Sequence, residues 1–252
     1  THLLLSVVNA LPGGLGRYEE DEYPRVASHV HDLLMHGLPA AGQAWPSARQ
    51  LAAVHLPDLP AAGDAPAEAF LRAATELVNE QGYRGASIDR IAARLKLTKG
   101  AFYHHHDTKL DVISACFERG FGVTRHVLKA TESAAGPGWH RSCAATLRLL
   151  RYQLSDEGPL LRSTAISALP DQAHRKRAKR TMLRLTERFA SVLVDGLIDG
   201  SVRAQDLSVA SYVLASAINA AAELQRWVPG ITADNVERLF ARPALLGLLC
   251  AD

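Results

Sequence analysis

Cysteine is scarce in this sequence: Cys116, Cys143 and Cys250 are far apart, odd in number and free of any C-x-x-C spacing. That pattern argues against a disulfide framework and against a zinc site, and it points to a reduced, cytoplasmic protein. Long apolar runs are lacking as well. Although 48% of the residues are hydrophobic, no uncharged apolar run approaches the roughly 20 residues that a bilayer span requires, so no membrane association is expected. No basic stretch followed by an apolar segment and a cleavage site opens the chain, which leaves secretion without support. An excess of one charge is missing too: 28 Lys and Arg against 26 Asp and Glu leave a net charge of +2, too small to announce a nucleic-acid binder. Any such case must rest on local clusters. The signatures of catalysis are equally absent. There is no G-x-S-x-G, no H-E-x-x-H and no P-loop, and "GGLG" at Gly13 follows no strand and reads as a helix end. We therefore expect no enzyme and no cofactor.

What is present is helical spacing. Alanine, leucine and arginine dominate, β-branched runs are short and strand-like alternation is scarce, so the fold class is all-α. From Ala67, the apolar residues Phe70, Ala73, Ala74, Leu77 and Val78 follow the pattern of a helix with one buried face, which Gly82 stops. Shorter helices are expected near 88–95, 99–105 and 109–123, and longer ones near 138–155, 159–168, 171–198, 206–228 and 233–249. Gly136-Pro137-Gly138, Gly158-Pro159, Pro170 and Gly200 punctuate them. Residues 39–66 gain proline and small residues and read as a linker with one short helix at 47–54.

An internal repeat changes the expected architecture. In "SVVNALPGGLGRY" and "SAINAAAELQRW", Ser6, Val8, Asn9 and Ala10 match Ser216, Ile218, Asn219 and Ala220. After a one-residue gap, Leu15, Arg17 and Tyr18 match Leu224, Arg226 and Trp227, and Gly37-Leu38 falls on Gly247-Leu248. Residues 1–40 then read as the tail of an earlier copy of the unit that ends at 252. The expected division is 1–40 as that partial copy, 41–65 as linker, 66–112 as one domain and 113–252 as another.

Three consecutive histidines, His104 to His106, stand in "LKLTKGAFYHHHDTKLDV". Neighbours on a helix point about 100° apart, and a chelating pair needs i, i+4 spacing, which none of the three has. No metal is expected. Ser87 instead caps a helix carrying Ile88, Ile91, Ala92 and Leu95, and Thr98 caps the next after a break at Leu95-Lys96-Leu97. Two short helices, a three-residue turn and a bracing first helix form a helix-turn-helix. Its second helix shows Thr98, Lys99, Gly100, Ala101, Tyr103 and His104 outward and Phe102 inward. Small residues at its start allow close approach to base edges, and Lys99, Tyr103 and His104 can bond phosphates or bases. Between Gly82 and Val112, six Lys or Arg face three Asp, a local surplus of the sign that DNA requires.

The stretch "FLRAATELVNEQGYRGASIDRIAARLKLTKGAFYHHHDTKLDVISACF" resembles the DNA-binding domain of the tetracycline-repressor (TetR) family of bacterial transcriptional regulators. The resemblance lies in Gly82-Tyr83 closing the first helix, "ASIDRIA" opening the second, "TKGAFYHH" as the recognition helix and Lys109 starting the fourth; "GLIDGSVRAQD" at 196–206 also resembles the family's connector before its last two helices. The resemblance implies a repressor of a double-stranded DNA operator, released by a small-molecule effector bound in the helical body. Thr98, Lys99, Gly100 and Ala101 would face bases, Tyr103, His104 and Lys109 would hold phosphate, and Ser87 would add a phosphate contact. Two features depart from the family. Lys96 stands where the turn usually has glycine, and His105 and His106 stand on aromatic positions, where they read as hydrogen-bonded, partly buried imidazoles. A helical interaction protein with a vestigial reading head is the alternative that Lys96 leaves open.

In the body, Trp139, Tyr152, Met182, Phe189 and Trp227 are candidates for lining an apolar effector pocket. "HRKRAKRTMLRLTERF" carries seven Lys or Arg against one Glu; it reads as a solvated helix face, or else as a surface for an anionic effector or the DNA backbone. The resemblance implies a four-helix dimer interface from the last two helices. A homodimer is one way to build it. The other is an intramolecular pseudo-dimer in which residues 1–38 supply two of the helices and the first reading head precedes Thr1.

Overall fold

The computed structural model describes residues 2–59, 65–95, 108–155, 161 and 163–249. Among them the only β pairing is an isolated antiparallel bridge between Pro39 and Val202, and helices make up the rest of the regular structure.

The first helix of the expected reading head is α4, Ala65–Gly85, preceded by α1 (His2–Leu15), α2 (Tyr23–His36) and the short α3 (Ala48–Ala53). The apolar stripe read from the sequence is the buried one: Phe70, Ala73, Ala74, Leu77 and Val78 are all at most 6% exposed. Gly82 does not end the helix outright. It takes a φ of 73°, which breaks the helical path, and the Ala86 N–H then donates to the Gly82 carbonyl. Glycine alone adopts that φ without a steric penalty. The next helix, α5 (Ile88–Arg94), starts where the Ser87 hydroxyl accepts the Arg90 N–H at 3.2 Å, and it buries Ile91 and Ala92.

The body begins with α6, Lys109–Ser133, ten residues longer than the expected 109–123. Thr108 and Asp111 cap it reciprocally. Gly120 and Gly122 do not interrupt it, because Phe117, Phe121, Val127, Leu128 and Thr131 continue one buried face across them. Next, α7 (Gly138–Gln153) runs through the centre, with Trp139, Cys143, Ala145 and Leu150 fully buried. It packs between α6 and the long basic helix α8 (Gln172–Ile198), whose first turn is capped by the Asp171 carboxylate. The helix expected at 159–168 is described as a 3-10 turn over Ser163–Ala168.

On α8 lies α9 (Leu207–Ala220), prolonged by a 3-10 turn and α10 (Leu224–Trp227), which together match the expected 206–228. By length and composition Leu207–Trp227 is the one described stretch apolar enough to cross a bilayer. Half of its most apolar part is buried inside the molecule, against α1, α2 and α8, as befits a core helix. The helix expected at 233–249 is shorter, a π-helical turn over Glu237–Ala241 followed by α11 (Arg242–Leu246). Side-chain bonds from Asn235 to the Thr232 N–H and the Gly230 carbonyl hold the preceding loop in a turn.

The segment read as a linker is packed down. Trp45 meets Trp139 edge-on at 6.2 Å and donates its indole N–H to Glu237 at 2.8 Å, and Val54 is buried.

Candidate DNA-reading head and effector cavity

Thr98, Lys99, Gly100, Ala101, Tyr103 and His104 lie outside the described residues, as do Lys96, His105 and His106. Their frame is described on both sides. Arg94 on α5 reaches back to Glu80 at 3.0 Å and Glu76 at 3.2 Å on α4, and Arg90 donates to Gln81 at 2.6 Å and to the Gly85 carbonyl at 3.2 Å. These bonds fix α5 across α4. Of the two DNA-contact candidates that are described, Ser87 spends its hydroxyl on the α5 cap. Lys109 is half-buried, with its ammonium 4.3 Å above the Tyr83 ring and donating to the Tyr83 carbonyl. Burial lowers the Lys109 pKa and raises that of Tyr83. An ammonium has three donors, and one of them is directed at Tyr83.

The first turns of α6 also tie the head to the body. The Cys116 thiol donates to the Leu71 carbonyl of α4 at 3.4 Å, and Arg119 pairs with Glu68 of α4 with both side chains largely buried, at 7% and 16% exposed. Burial pushes the Cys116 thiol up to about 11.

Cys116 also lines a cavity among α6, α7, α8 and α9, where the space open to the centre of a water-sized sphere is about 70 Å³. A water needs about 10–15 Å³ on that measure, so the space matches a handful of waters. Its walls are Phe117, Phe121, Leu149, Met182, Phe189 and Ile218 among other apolar residues, and among the described residues no charged side chain lines it. Among the described residues, Thr124, Thr186 and Asn219 bring polar side chains to it. Thr124 and Thr186 turn their hydroxyl hydrogens onto the carbonyls of Gly120 and Met182, at 2.9 and 3.1 Å. Asn219 donates its amide N–H to the Ala215 carbonyl at 2.8 Å, so its carbonyl oxygen is the acceptor left for the cavity.

Of the five pocket residues expected from sequence, Met182 and Phe189 line this cavity. Tyr152 instead faces a separate cleft beside α3, with Arg148, Arg151 and Glu237. Trp139 is fully buried and donates its indole N–H to the Ala44 carbonyl at 2.9 Å. Trp227 is 57% exposed, with the Arg226 guanidinium 5.2 Å from its ring. Sequence reasoning missed Phe117, Phe121 and Asn219. The signal for the first two was there, since an i, i+4 aromatic pair beside Cys116 and Gly120 marks one side of α6. In the basic run of α8, Arg175 folds back to the Leu169 and Pro170 carbonyls and Arg177 reaches Glu118 at 3.4 Å, while Lys176, Lys179 and Arg180 are exposed.

Residues 70–116 match the family model described as bacterial regulatory proteins, tetR family. The Transposon Tn10 TetC protein of Escherichia coli is 40% identical over 52 residues, which is 21% of this chain and only 26% of that protein. An HTH-type transcriptional regulator of Saccharopolyspora erythraea is 28% identical over 189 residues, 73% of this chain and 74% of the relative. The crystal structure of the TetR family transcriptional regulator PfmR from Thermus thermophilus shares the fold with a TM-score of 0.58 at 22% identity, over 71% of this chain and 98% of that one. The α4–α5 frame thus falls inside the residues that match the tetR family model, and the helical body beyond it shares the fold of a TetR family transcriptional regulator.

Proposed function

We propose that the protein is a cytoplasmic repressor whose segment 98–106 enters the major groove of an operator and leaves it when an uncharged, apolar effector fills the cavity of the body. In this reading Thr98, Lys99, Gly100 and Ala101 face bases, while Tyr103, His104, Lys109 and Ser87 hold phosphates. Residues 66–112 form the reading head and 113–252 the sensing body. A second head, from another copy or from a tandem unit of the same polypeptide, completes the operator contact.

The observation that carries the proposal is the double role of α6. Its first turn holds Lys109 at the edge of the head, and about two turns later Cys116 lines the cavity while bonding the first head helix through the Leu71 carbonyl. A ligand that displaces Phe117 or Phe121 therefore pushes on the helix that carries the head. The class of effector follows from the lining. A carboxylate or phosphate would be desolvated there with no cation to pair with among the described lining residues, a cost of several kcal/mol, whereas a hydrocarbon body with one donor for the Asn219 oxygen meets no such penalty.

Fluorescence anisotropy on the intergenic DNA beside the gene tests the first half. Affinity should fall steeply with salt. Tyr103→Phe and Lys109→Ala should each weaken binding about tenfold, with Lys109→Ala reducing the salt slope by about one and circular dichroism unchanged. Full binding by both variants would remove the docking mode, and no binding to any flanking fragment would favour a helical interaction protein with a vestigial head. For the second half, a medium-chain alcohol should raise the melting temperature and release the DNA where the carboxylic acid of equal length does neither.

A further inference from the structure

The sequence repeat has a structural counterpart where the end of α2 meets the end of α11. Both helices stop at a glycine of the same unusual backbone shape, Gly37 at φ 66° and ψ −159° and Gly247 at φ 87° and ψ 161°. Each lies against the other's chain: a Cβ on Gly37 would stand 2.2 Å from the Leu246 carbonyl carbon, and one on Gly247 would stand 2.5 Å from the Gly37 nitrogen. Hydrogen bonds cross in both directions, from the Leu38 N–H to the Leu245 carbonyl and from the Leu248 N–H to the Leu34 carbonyl, each at 2.8 Å. In an isologous contact residue i meets j while j meets i. That relation holds here within one chain for the glycine contacts, Gly37 against Leu245 and Leu246 and Gly247 against Met35 and His36, and to within one residue for the hydrogen bonds, between segments that also match in sequence.

The helices leading to this seam agree. The first, α1, packs along α9, its sequence counterpart, with Gly14 against the Tyr212 ring. Val7, Val26, Val30 and Leu33 share one buried cluster with Val209, Val213 and Ala217. Polar ties lock the edges: His29 meets Asp206 at 3.1 Å, and Arg203 pairs with Asp32 at 2.7 Å while donating to the Gly37 carbonyl at 2.7 Å.

We infer that residues 2–38 are a folded-in copy of the C-terminal helix pair and close, inside a single chain, the two-fold pairing face through which two copies would otherwise associate. The occupant of that face is the chain's own segment, so a second copy has no isologous surface left there. The inference does not depend on DNA binding, and a failed binding assay leaves it untouched.

Two measurements on residues 1–252 test it. Light scattering from roughly 1 to 100 µM should give the mass of one chain, 27.2 kDa. Hydrogen exchange at the Leu38, Leu248 and Leu249 amides should show protection that a hundredfold dilution does not change. A two-chain mass with unchanged protection would place pairing on another face and support the closure. A two-chain mass whose protection at these amides falls on dilution would overturn it, and so would a single-chain mass with no protection there.

Discussion

Cys116 shows how one side chain can serve two places. Its sulfur bonds the carbonyl of a head helix and its flank forms part of the cavity wall. Burial favours the neutral thiol and raises the pKa from its ordinary value near 9 to about 11. The sign of the consequence is fixed by linkage. A raised acid pKa contributes stability that is fully present below the ordinary value and is lost as pH rises through the raised one. The loss between pH 9 and pH 11 should approach about 2–3 kcal/mol, from about 1.4 kcal/mol per pKa unit. In urea titrations the gap between the wild type and Cys116→Ala should narrow over that window; a constant gap would show that the thiolate is tolerated. At pH 8 the same burial should slow alkylation of Cys116 roughly a hundredfold relative to an exposed cysteine, because the thiolate is the reacting species. Site-resolved mass spectrometry reads this directly, and an apolar effector should slow it further.

Between elements, ion pairs of similar geometry should differ in worth because of burial. Arg119 and Glu68 join α6 to α4 in a largely dry contact, with the guanidinium also 5.7 Å from the Tyr152 ring. Glu68→Ala strips the carboxylate from a buried cation and should cost about 3–5 kcal/mol, while a Glu68→Leu, Arg119→Met double variant should recover most of it. The Arg94–Glu80 pair, 39% and 52% exposed, should cost under about 1 kcal/mol when Glu80 becomes Ala. Equal losses in urea unfolding would mean that the α4–α6 contact is wet. Much of this level was legible in the sequence: Ser87 as a cap, the stripe from Phe70 to Val78 and the short helix near Ser47 all follow from local spacing and capping chemistry. What local spacing misjudged were glycines. Gly82 turns the path while hydrogen bonding resumes beyond it, and Gly120 sits inside α6 because the buried face does not need a side chain there. The cavity was legible only in part, since Met182 and Phe189 share their apolar character with the buried Trp139. Which of them borders empty space is decided by how four helices meet.

At the scale of the whole molecule, the closed seam between the two ends of the chain makes Gly37 a critical position, and its cost can be separated into two parts. Any non-glycine residue is strained at its φ of 66°, and the same is true of Gly42 at 82°. That strain is worth about 1–2 kcal/mol. A side chain at Gly42 meets nothing within 4 Å, whereas one at Gly37 runs into the backbone of Leu245 and Leu246. Gly42→Ala should therefore lower stability by about 1–2 kcal/mol and leave the mass in solution unchanged. Gly37→Ala carries the same strain and must also part the two helix ends, breaking the bonds that Leu38 and Leu248 exchange. It should cost several kcal/mol more, since each buried amide stripped of its acceptor forfeits about 1–3 kcal/mol. It should also uncover Val209, Val213 and Ala217 on α9, an apolar strip that water does not favour. The expected sign of that exposure is self-association in light scattering at concentrations where the wild type runs as one chain, with far-UV circular dichroism still helical. Indistinguishable urea midpoints for Gly37→Ala and Gly42→Ala would mean that the ends of α2 and α11 do not meet as closely as described, and the first 38 residues would then be an appendage and not half of an interface.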